Sequence, residues 1–196
     1  MKEPGMIKTL RAFVLGLALS GLAGGCQRHD ARPEARASGG PGAAAPAQVT
    51  LDAAIGKSAQ FSALAEIIRQ TGLAGVLGGK ASYTVFAPTN AAFDTLGEPG
   101  RALRQPEQRA ALAALLREHI VPGMLTLGDL NQALERSSGK PLKLRSMGKG
   151  TLTVSREDGK IMVSGADGAK AALTNDSATA RNGSALGIDG VLRKVA

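Results

Sequence analysis

The stretch YTVFAPTNAAFDTL, residues 83–96, contains the end of a predicted strand and the start of a predicted helix. Tyr83, Val85 and Phe86 belong to a run of β-branched and aromatic residues, which suits a strand covered on both faces. Pro88 lacks the backbone N–H that a sheet requires, so we expect the strand to end there.

Thr89 and Asn90 follow this strand where a helix would begin. Their side-chain oxygens can accept hydrogen bonds from the unpaired amides of a first helical turn. Phe93 and Leu96 are spaced so that they turn back toward the core. None of these residues has a base nearby in the sequence, so the stretch is interpreted as scaffold rather than as a reactive site.

A longer amphipathic helix is predicted upstream. Phe61, Leu64 and Ile68 lie at a spacing that places one apolar stripe on a helix. Ser58 is predicted to cap this helix and Gly72 to end it.

A further helix is predicted downstream, with Pro106 at its first position and His119 on its apolar face. His119 permits two interpretations: a catalytic or metal-binding histidine, or a core histidine that hydrogen-bonds to backbone or to a polar residue of 83–96. The body has no second histidine and no cysteine, so a zinc site would need carboxylates for its other ligands. The core interpretation is favoured, and no metal or cofactor is predicted.

The segment after this helix is predicted to form a short strand and a turn at Pro122 and Gly123. Thr126 and Asp129 then fit a variant of the capping box, which opens a helix toward Leu134.

Strands dominate from Pro141 onward. The runs lie at 141–147, 151–157 and 161–165, and then around 177–181, 184–189 and 191–195. Asp158–Gly159 is a strong hairpin signal, and turns at Asn182–Gly183 and Asp189–Gly190 are predicted to join the last strands. Helices followed by strands predict the α+β class.

Residues 1–25 have the pattern of a signal peptide. Lys8 and Arg11 precede the apolar run AFVLGLALSGLAGG, which is too short to span a bilayer comfortably. Translation could start at Met1 or at Met6, and export is predicted in either case.

The only cysteine, Cys26, directly follows this run. Small residues before a cysteine resemble the lipobox of bacterial lipoproteins, in which the cysteine receives diacylglycerol and becomes the first mature residue. The alternative is an ordinary signal peptide cleaved nearby. Gln27 would not act as an inner-membrane retention signal in many Gram-negative bacteria, so we expect an anchor in the outer membrane, with the domain facing the periplasm or the exterior.

Residues 26–47 are rich in Ala, Pro, Gly and Ser, with mixed charges. Such a segment has little to bury, so it is predicted to be a flexible linker between the lipid anchor and a folded domain over 48–196.

The chain has a formal net charge of +8, and removal of residues 1–25, with three Lys/Arg and one Glu, leaves +6. The basic residues are scattered from Arg28 to Lys194 without a recognition motif, so nucleic acid is not predicted as a partner. The charge suits anionic lipid or polysaccharide.

Sequence patterns of enzymes are missing. There is no GxSxG elbow, no HExxH helix and no dinucleotide glycine fingerprint, and the acidic residues are scattered singly. No enzymatic activity is predicted.

Three segments, in order, resemble the fasciclin (FAS1) domain family. Residues 83–96 resemble its first signature box, 116–130 its second box and 182–192 its terminal hairpin. The resemblance implies a wedge-like α+β fold in which a seven-stranded β-sandwich is flanked by several α-helices. The residues that carry the signature are expected to be structural: Tyr83, Val85, Phe86, Pro88, Thr89, Asn90, Phe93, His119, Pro122, Gly123, Asn182, Gly183 and Asp189.

Fasciclin domains are associated with cell adhesion, so the resemblance implies a similar role toward polysaccharide or another protein. The family's Tyr-His adhesion motif falls on Glu118 and His119, and its Asp-Ile motif falls on Ser177 and Ala178, so integrin-type recognition is not expected. The alternative is a periplasmic carrier that holds a small apolar ligand in an internal cavity of several hundred cubic ångströms.

Overall fold

The computed structural model describes residues 48–194. The predicted signal peptide, Cys26 and the predicted linker therefore lie outside the described residues, as do residues 195–196.

The described part of the chain contains seven α-helices. They are α1 (Leu51–Lys57), α2 (Ser62–Gln70), α3 (Ala74–Leu77), α4 (Asn90–Asp94), α5 (Gly97–Leu103), α6 (Arg109–Glu118) and α7 (Leu127–Arg136). Two single 3-10 turns, Ala59–Phe61 and Pro106–Gln108, lead into α2 and α6.

Seven strands complete the described fold. They are β1 (Tyr83–Pro88), β2 (Ile120–Pro122), β3 (Leu142–Arg145), β4 (Thr151–Glu157), β5 (Lys160–Ser164), β6 (Lys170–Ala180) and β7 (Gly183–Ile188). Their order across the sheet is β2-β1-β7-β6-β5-β4-β3. The predicted α+β fold with seven strands and flanking helices is confirmed.

The sheet has two halves that share β6. The first residues of β6, Lys170–Ala172, pair with β5, and its last residues, Ser177–Ala180, pair with β7. The register shifts between Leu173 and Ser177, and such an irregularity bends a strand locally. One strand thus serves both halves.

Two hydrophobic cores lie on opposite faces of β1. Val85 and Ala87 pack against helices α1, α2 and α6 in the first core, whereas Phe86 packs in the second core with α7 and strands of both halves. All three side chains are fully buried, which confirms that β1 is covered on both faces. The apolar run at the start of the signature stretch is explained by this double burial.

The structure confirms the predicted end of α2 but not its predicted N-terminal cap. Gly72 has a φ of +74° just after the helix, as expected for a glycine that ends a helix. Ser58, in contrast, makes no side-chain cap hydrogen bond. The prediction of a Ser58 cap was wrong, because this helix receives its cap from Asn90, which is distant in sequence.

The predicted hairpin at Asp158–Gly159 is confirmed. Both residues have positive φ angles, +48° and +78°, and they connect β4 to β5 where Glu157 pairs with Lys160. This is the geometry of a two-residue type I′ turn, for which Asp-Gly is a preferred sequence.

The prediction of a strand around 191–195 was wrong. Residues Val191–Lys194 have no strand structure, although Val191 and Leu192 are buried. The backbone amide of Leu192 donates a hydrogen bond to the side chain of His119 rather than to a neighbouring strand. The segment is therefore fixed without sheet pairing.

Candidate functional site

The three signature segments meet around β1. This strand runs antiparallel to β2 and parallel to β7. The amide of Phe86 donates to the carbonyl of His119 at 2.9 Å, and the amide of Tyr83 donates to the carbonyl of Asn182 at 3.1 Å. The tertiary fold therefore brings together segments that lie far apart in sequence, and a reactive site in the signature would be found here.

His119 is fully buried beside this junction. Its Nδ1 lies 2.9 Å from the carbonyl oxygen of Leu115, and its Nε2 accepts a hydrogen bond of 2.9 Å from the amide of Leu192. A carbonyl can only accept and an amide can only donate, so both partners select the neutral imidazole with its proton on Nδ1. The ring is occupied by backbone on both sides, as the core interpretation predicts.

The electrostatics of His119 agree with this role. Desolvation by burial lowers the pKa of His119 to about 4, against the smaller raising effects of the Leu115 carbonyl and the charge of Glu118. A general base at neutral pH needs a pKa near 7 and access to a substrate. This imidazole has neither property.

Thr89 caps its own helix, whereas Asn90 caps another. The hydroxyl of Thr89 accepts from the amide of Ala92 at 3.3 Å. The side-chain oxygen of Asn90 accepts from the amide of Ala63 at 3.0 Å, and its nitrogen donates to the carbonyl of Ala59 at 2.8 Å. The prediction that Asn90 caps the helix it begins was therefore wrong, because its side chain instead closes the first turn of α2.

Asn182 connects the terminal hairpin to the first helices. Its Oδ1 accepts from the amide of Leu51 at 2.9 Å, and its Nδ2 donates to the carbonyls of Leu77 and Gly79 at 2.8 and 2.9 Å. The side chain is buried, and three hydrogen bonds satisfy it. An amide is required here, because only Asn or Gln can both accept and donate in this way.

Gly183 and Asp189 stand at the two ends of β7. Gly183 pairs with Tyr83 of β1, and a methyl group at Gly183 would collide with the Tyr83 carbonyl. The prediction of a turn at Asn182–Gly183 was wrong by one residue: Ala180 pairs with Gly183, so the loop of the hairpin is Arg181 and Asn182. Gly183 is the first residue of β7, and a glycine is needed there because β1 approaches closely. Asp189 accepts from the amide of Ala172 at 2.7 Å and so attaches the end of β7 to β6.

The other signature residues surround the same junction. Phe93 is buried, and the guanidinium of Arg104 lies 5.8 Å from its ring centre. Pro122 is exposed and pairs with Tyr83, and Gly123, with a φ of +96°, turns the chain away from the sheet.

Two polar residues of this junction were not singled out from the sequence. The hydroxyl of Thr84 donates to the carbonyl of Gly123 and accepts from the amide of Leu125, both at 2.8 Å. The hydroxyl of Ser184 donates to the carbonyl of Leu125. The available signal was a hydroxyl residue inside each of two strands that are otherwise apolar, since a buried hydroxyl requires a partner.

A cleft of about 240 Å³ lies next to the junction and is lined by Glu118, Asp167 and Arg193, among others. Glu118 accepts a hydrogen bond of 2.5 Å from the hydroxyl of Ser146. Desolvation raises the pKa of Asp167, but hydrogen bonds from the amides of Ala169 and Lys194, together with the charge of Arg193 and the backbone of Asp167 itself, outweigh it, and the net effect lowers the pKa. A general acid needs a raised pKa, so the carboxylate of Asp167 is unsuited to that role.

Two other clefts, each of about 370 Å³, lie among the helices. One is lined by Gln70, Arg104 and Arg109, together with the apolar residues Pro106 and Leu112. The other is lined by Asp52, Glu66 and Arg69, among others. Charged side chains stand in the walls of both clefts beside apolar ones, and neither cleft is the enclosed apolar pocket that a small apolar ligand would need.

Two features are absent from residues 48–194: a metal-binding cluster and a membrane-spanning helix. Within that range, no group of three or more His, Cys, Asp or Glu side chains is placed to hold a metal ion. No helix of the described part is long and apolar enough to cross a membrane.

Comparison with known proteins gives one family and several relatives. The profile of the fasciclin domain matches residues 59–194. Protein sll1483 of Synechocystis sp. is 32% identical over 133 residues, which cover 67% of this chain and 66% of that protein. The pig transforming growth factor-beta-induced protein ig-h3 is 35% identical over 101 residues, which cover 50% of this chain and 14% of that protein.

A solved structure has the same fold. A FAS1 domain pair from the insect cell adhesion molecule fasciclin I superposes with a TM-score of 0.62 at 16% sequence identity. The match covers 76% of this chain and 52% of that one. The chain thus spans only part of each of these relatives.

Proposed function

Because the chain belongs to the fasciclin domain family, a family of adhesion-type domains, we propose that it is an adhesion module held at a cell-envelope membrane. Its partner is a polysaccharide or another protein of the envelope or matrix. The domain performs no chemistry on that partner.

One observation carries this proposal: the polar side chains of the signature are occupied by structural hydrogen bonds. Thr89, Asn90, His119 and Asn182 each bond to backbone groups of the fold. A nucleophile or a general base would need a free atom directed at a substrate. The function is therefore expected at the surface of the domain.

The membrane anchor is proposed from the sequence at Cys26. A cysteine directly after a signal-peptide run is the site at which bacterial lipoproteins receive their lipid, and residues 27–47 then provide a tether of about 20 residues. Gln27 favours the outer membrane. This arrangement would present the folded domain at a distance from the bilayer surface.

The carrier alternative has less support. A carrier of a small apolar ligand needs an enclosed apolar pocket. The clefts described above have charged residues in their walls. Surface adhesion is the function that the geometry favours.

Metabolic labelling with a lipid analogue tests the anchor. The unmodified chain should incorporate the label, and Cys26→Ser should lose it while still being exported. Ser38→Ala, a change of similar size in the predicted linker, is the matched control and should keep the label. An unlabelled wild-type chain would show that the protein is not lipid-anchored.

Adhesion is tested by binding of the purified full chain to envelope and matrix preparations. Saturable binding that weakens with added salt is expected, because the chain keeps a positive charge after residues 1–25 are removed. Absence of saturable binding, or native mass spectra with a bound small molecule, would contradict the proposal.

A further inference from the structure

The positive charge of the domain is unevenly distributed. Residues 48–136, which contain the helices, carry eight Lys/Arg and eight Asp/Glu. Residues 137–194, which contain β3 to β7, carry ten Lys/Arg and five Asp/Glu. The strand-rich region therefore accounts for the whole net charge of the described domain, and an anionic partner would be attracted to it.

One face of this region is turned away from the core. Leu152 and Val154 of β4 and Val163 of β5 point into the second core, so the alternating residues point outward. We define the outer face by six residues on four strands: Lys143, Arg145, Thr151, Thr153, Ser164 and Lys170.

The outer face has an ordered layout. Lys143 pairs with Thr153, Thr153 with Ser164, and Ser164 with Lys170, so these four residues form a row across β3, β4, β5 and β6. Arg145 and Thr151 form a second, adjacent pair. At a strand spacing of about 4.8 Å, the two lysines of the row stand about 14 Å apart at their Cα atoms.

The side chains of the row create a shallow trough. Thr153 and Ser164 are short and half-buried, whereas Lys143, Arg145 and Lys170 are long and exposed. The hydroxyl residues thus form the floor and the cationic residues form the two sides.

Two further charged residues lie beside the trough. Lys160 pairs with Glu157 at the end of the β4–β5 hairpin, and Glu157 also forms an ion pair of 3.1 Å with Lys170. Both partners of that ion pair are about half exposed, so the ion pair is weak and Lys170 stays accessible. Four cations and one carboxylate face this side of the sheet.

From this layout we infer that the outer face is the binding surface for an acidic polysaccharide, an inference that rests on the proposed adhesion function. The cationic side chains meet the carboxylate or sulfate groups of an extended sugar chain, and the Thr and Ser hydroxyls exchange hydrogen bonds with its hydroxyls. A bilayer would require apolar side chains that can insert, and Met162 is the one large apolar side chain of β5 on this face. An extended hydrophilic polyanion matches the trough in both shape and charge.

The inference is tested with the full chain in a non-ionic detergent. The probes are immobilised polygalacturonate, dextran as its neutral counterpart, and vesicles containing phosphatidylglycerol. We expect binding to polygalacturonate, none to dextran, and a strong weakening toward about 1 M salt, where the Debye length is about 3 Å.

Three double variants locate the surface. Lys143→Gln with Arg145→Gln should weaken polygalacturonate binding about tenfold. Lys57→Gln with Lys80→Gln removes the same charge from exposed positions in the helical region and should change binding less than about twofold. Lys143→Arg with Arg145→Lys keeps the charge and should bind like the unmodified chain, and thermal melting shows that each variant is folded.

The outcomes separate this inference from the adhesion proposal. Equal weakening by the two charge-removing variants would overturn the inference, since the effect would be one of net charge only. Tighter binding to the anionic vesicles, lost with Lys143→Gln and Arg145→Gln, would also overturn it in favour of a lipid surface. If the variant Lys143→Gln with Arg145→Gln binds envelope preparations normally, the adhesion proposal stands but the outer face is not the binding surface. If the unmodified chain fails to bind envelope preparations, the adhesion proposal itself is rejected.

Discussion

The side chain of His119 and the backbone amide of Leu192 are joined by a hydrogen bond of 2.9 Å across 73 positions of the chain. This bond fixes the last described segment against the end of α6 without any strand pairing. The same imidazole bonds to Leu115 on its other side, so it works as a buried connector in its neutral form.

Acid should destabilise the protein through His119. Its folded-state pKa of about 4 lies below the ordinary value of 6.5, so the unfolded chain binds the proton more readily. As pH falls from 6.5 to 4, the free energy of unfolding should decrease by about 3 kcal/mol from this group, and no further loss from it occurs below that window. Urea denaturation at a series of pH values measures the decrease.

His119→Gln provides the comparison for this pH dependence. The variant should be less stable at pH 7. Its free energy of unfolding should decrease much less than that of the wild type as pH falls from 6.5 to 4. The lowered pKa values of Asp129 and Asp167 act in a different window, because their stabilisation is lost only as pH falls below about 3.8. An identical slope in variant and wild type would show that His119 does not titrate as described.

Asn90 should stabilise the protein through α2 rather than through its own helix. Asn90→Ala removes the acceptor for the Ala63 amide and the donor to the Ala59 carbonyl, so we expect a loss of about 1–2 kcal/mol. Asn90→Asp keeps the acceptor and should lose less. The urea midpoint is the measurement, and Asn175→Ala, at an exposed strand position, is the control. A change as small as that of the control would refute the cross-helix cap.

Asn182 should be more sensitive than its exposed neighbour. Asn182→Ala leaves the buried amide of Leu51 and the buried carbonyl of Leu77 without partners, and we expect a loss of about 2–4 kcal/mol. Asn182→Asp should not restore stability, because its carboxylate would face two carbonyl oxygens. Arg181→Ala, in the same loop, should change the unfolding free energy by less than about 0.5 kcal/mol. Rescue by Asp would contradict the assigned donor role of the Asn182 side chain.

Gly183 and Gly159 should respond to alanine in different ways. At Gly183 the new methyl group would meet the backbone of β1, which cannot move aside, so we expect a loss of about 3 kcal/mol or more. At Gly159 nothing lies near the methyl group, and the positive φ of +78° alone should cost about 1 kcal/mol. Thermal melting of the two variants measures both losses of stability. Equal losses would show that the close approach of β1 does not determine the cost of alanine at Gly183.

Local patterns in the sequence predicted much of the fold. Thr126 and Asp129 form the predicted capping box, with the hydroxyl and the carboxylate each accepting from the other residue's backbone. Gly72, Asp158 and Gly159 lie at positions with positive φ angles, which these residue types adopt more readily than most. These features depend on residues within a few positions of one another, so the sequence contains all the information that they need.

Only the tertiary structure decided which distant groups meet. Asn90 was predicted to cap its own helix, but its side chain closes the first turn of α2. The segment at 191–195 was predicted to be a strand, but the amide of Leu192 donates to His119. A side-chain oxygen or a backbone amide has the same chemistry whichever partner it finds, so its local sequence cannot specify that partner. Packing of the two cores around β1 brings these groups within hydrogen-bond distance, and packing of the second core decides which side chains of β3 to β6 are left on the outer face.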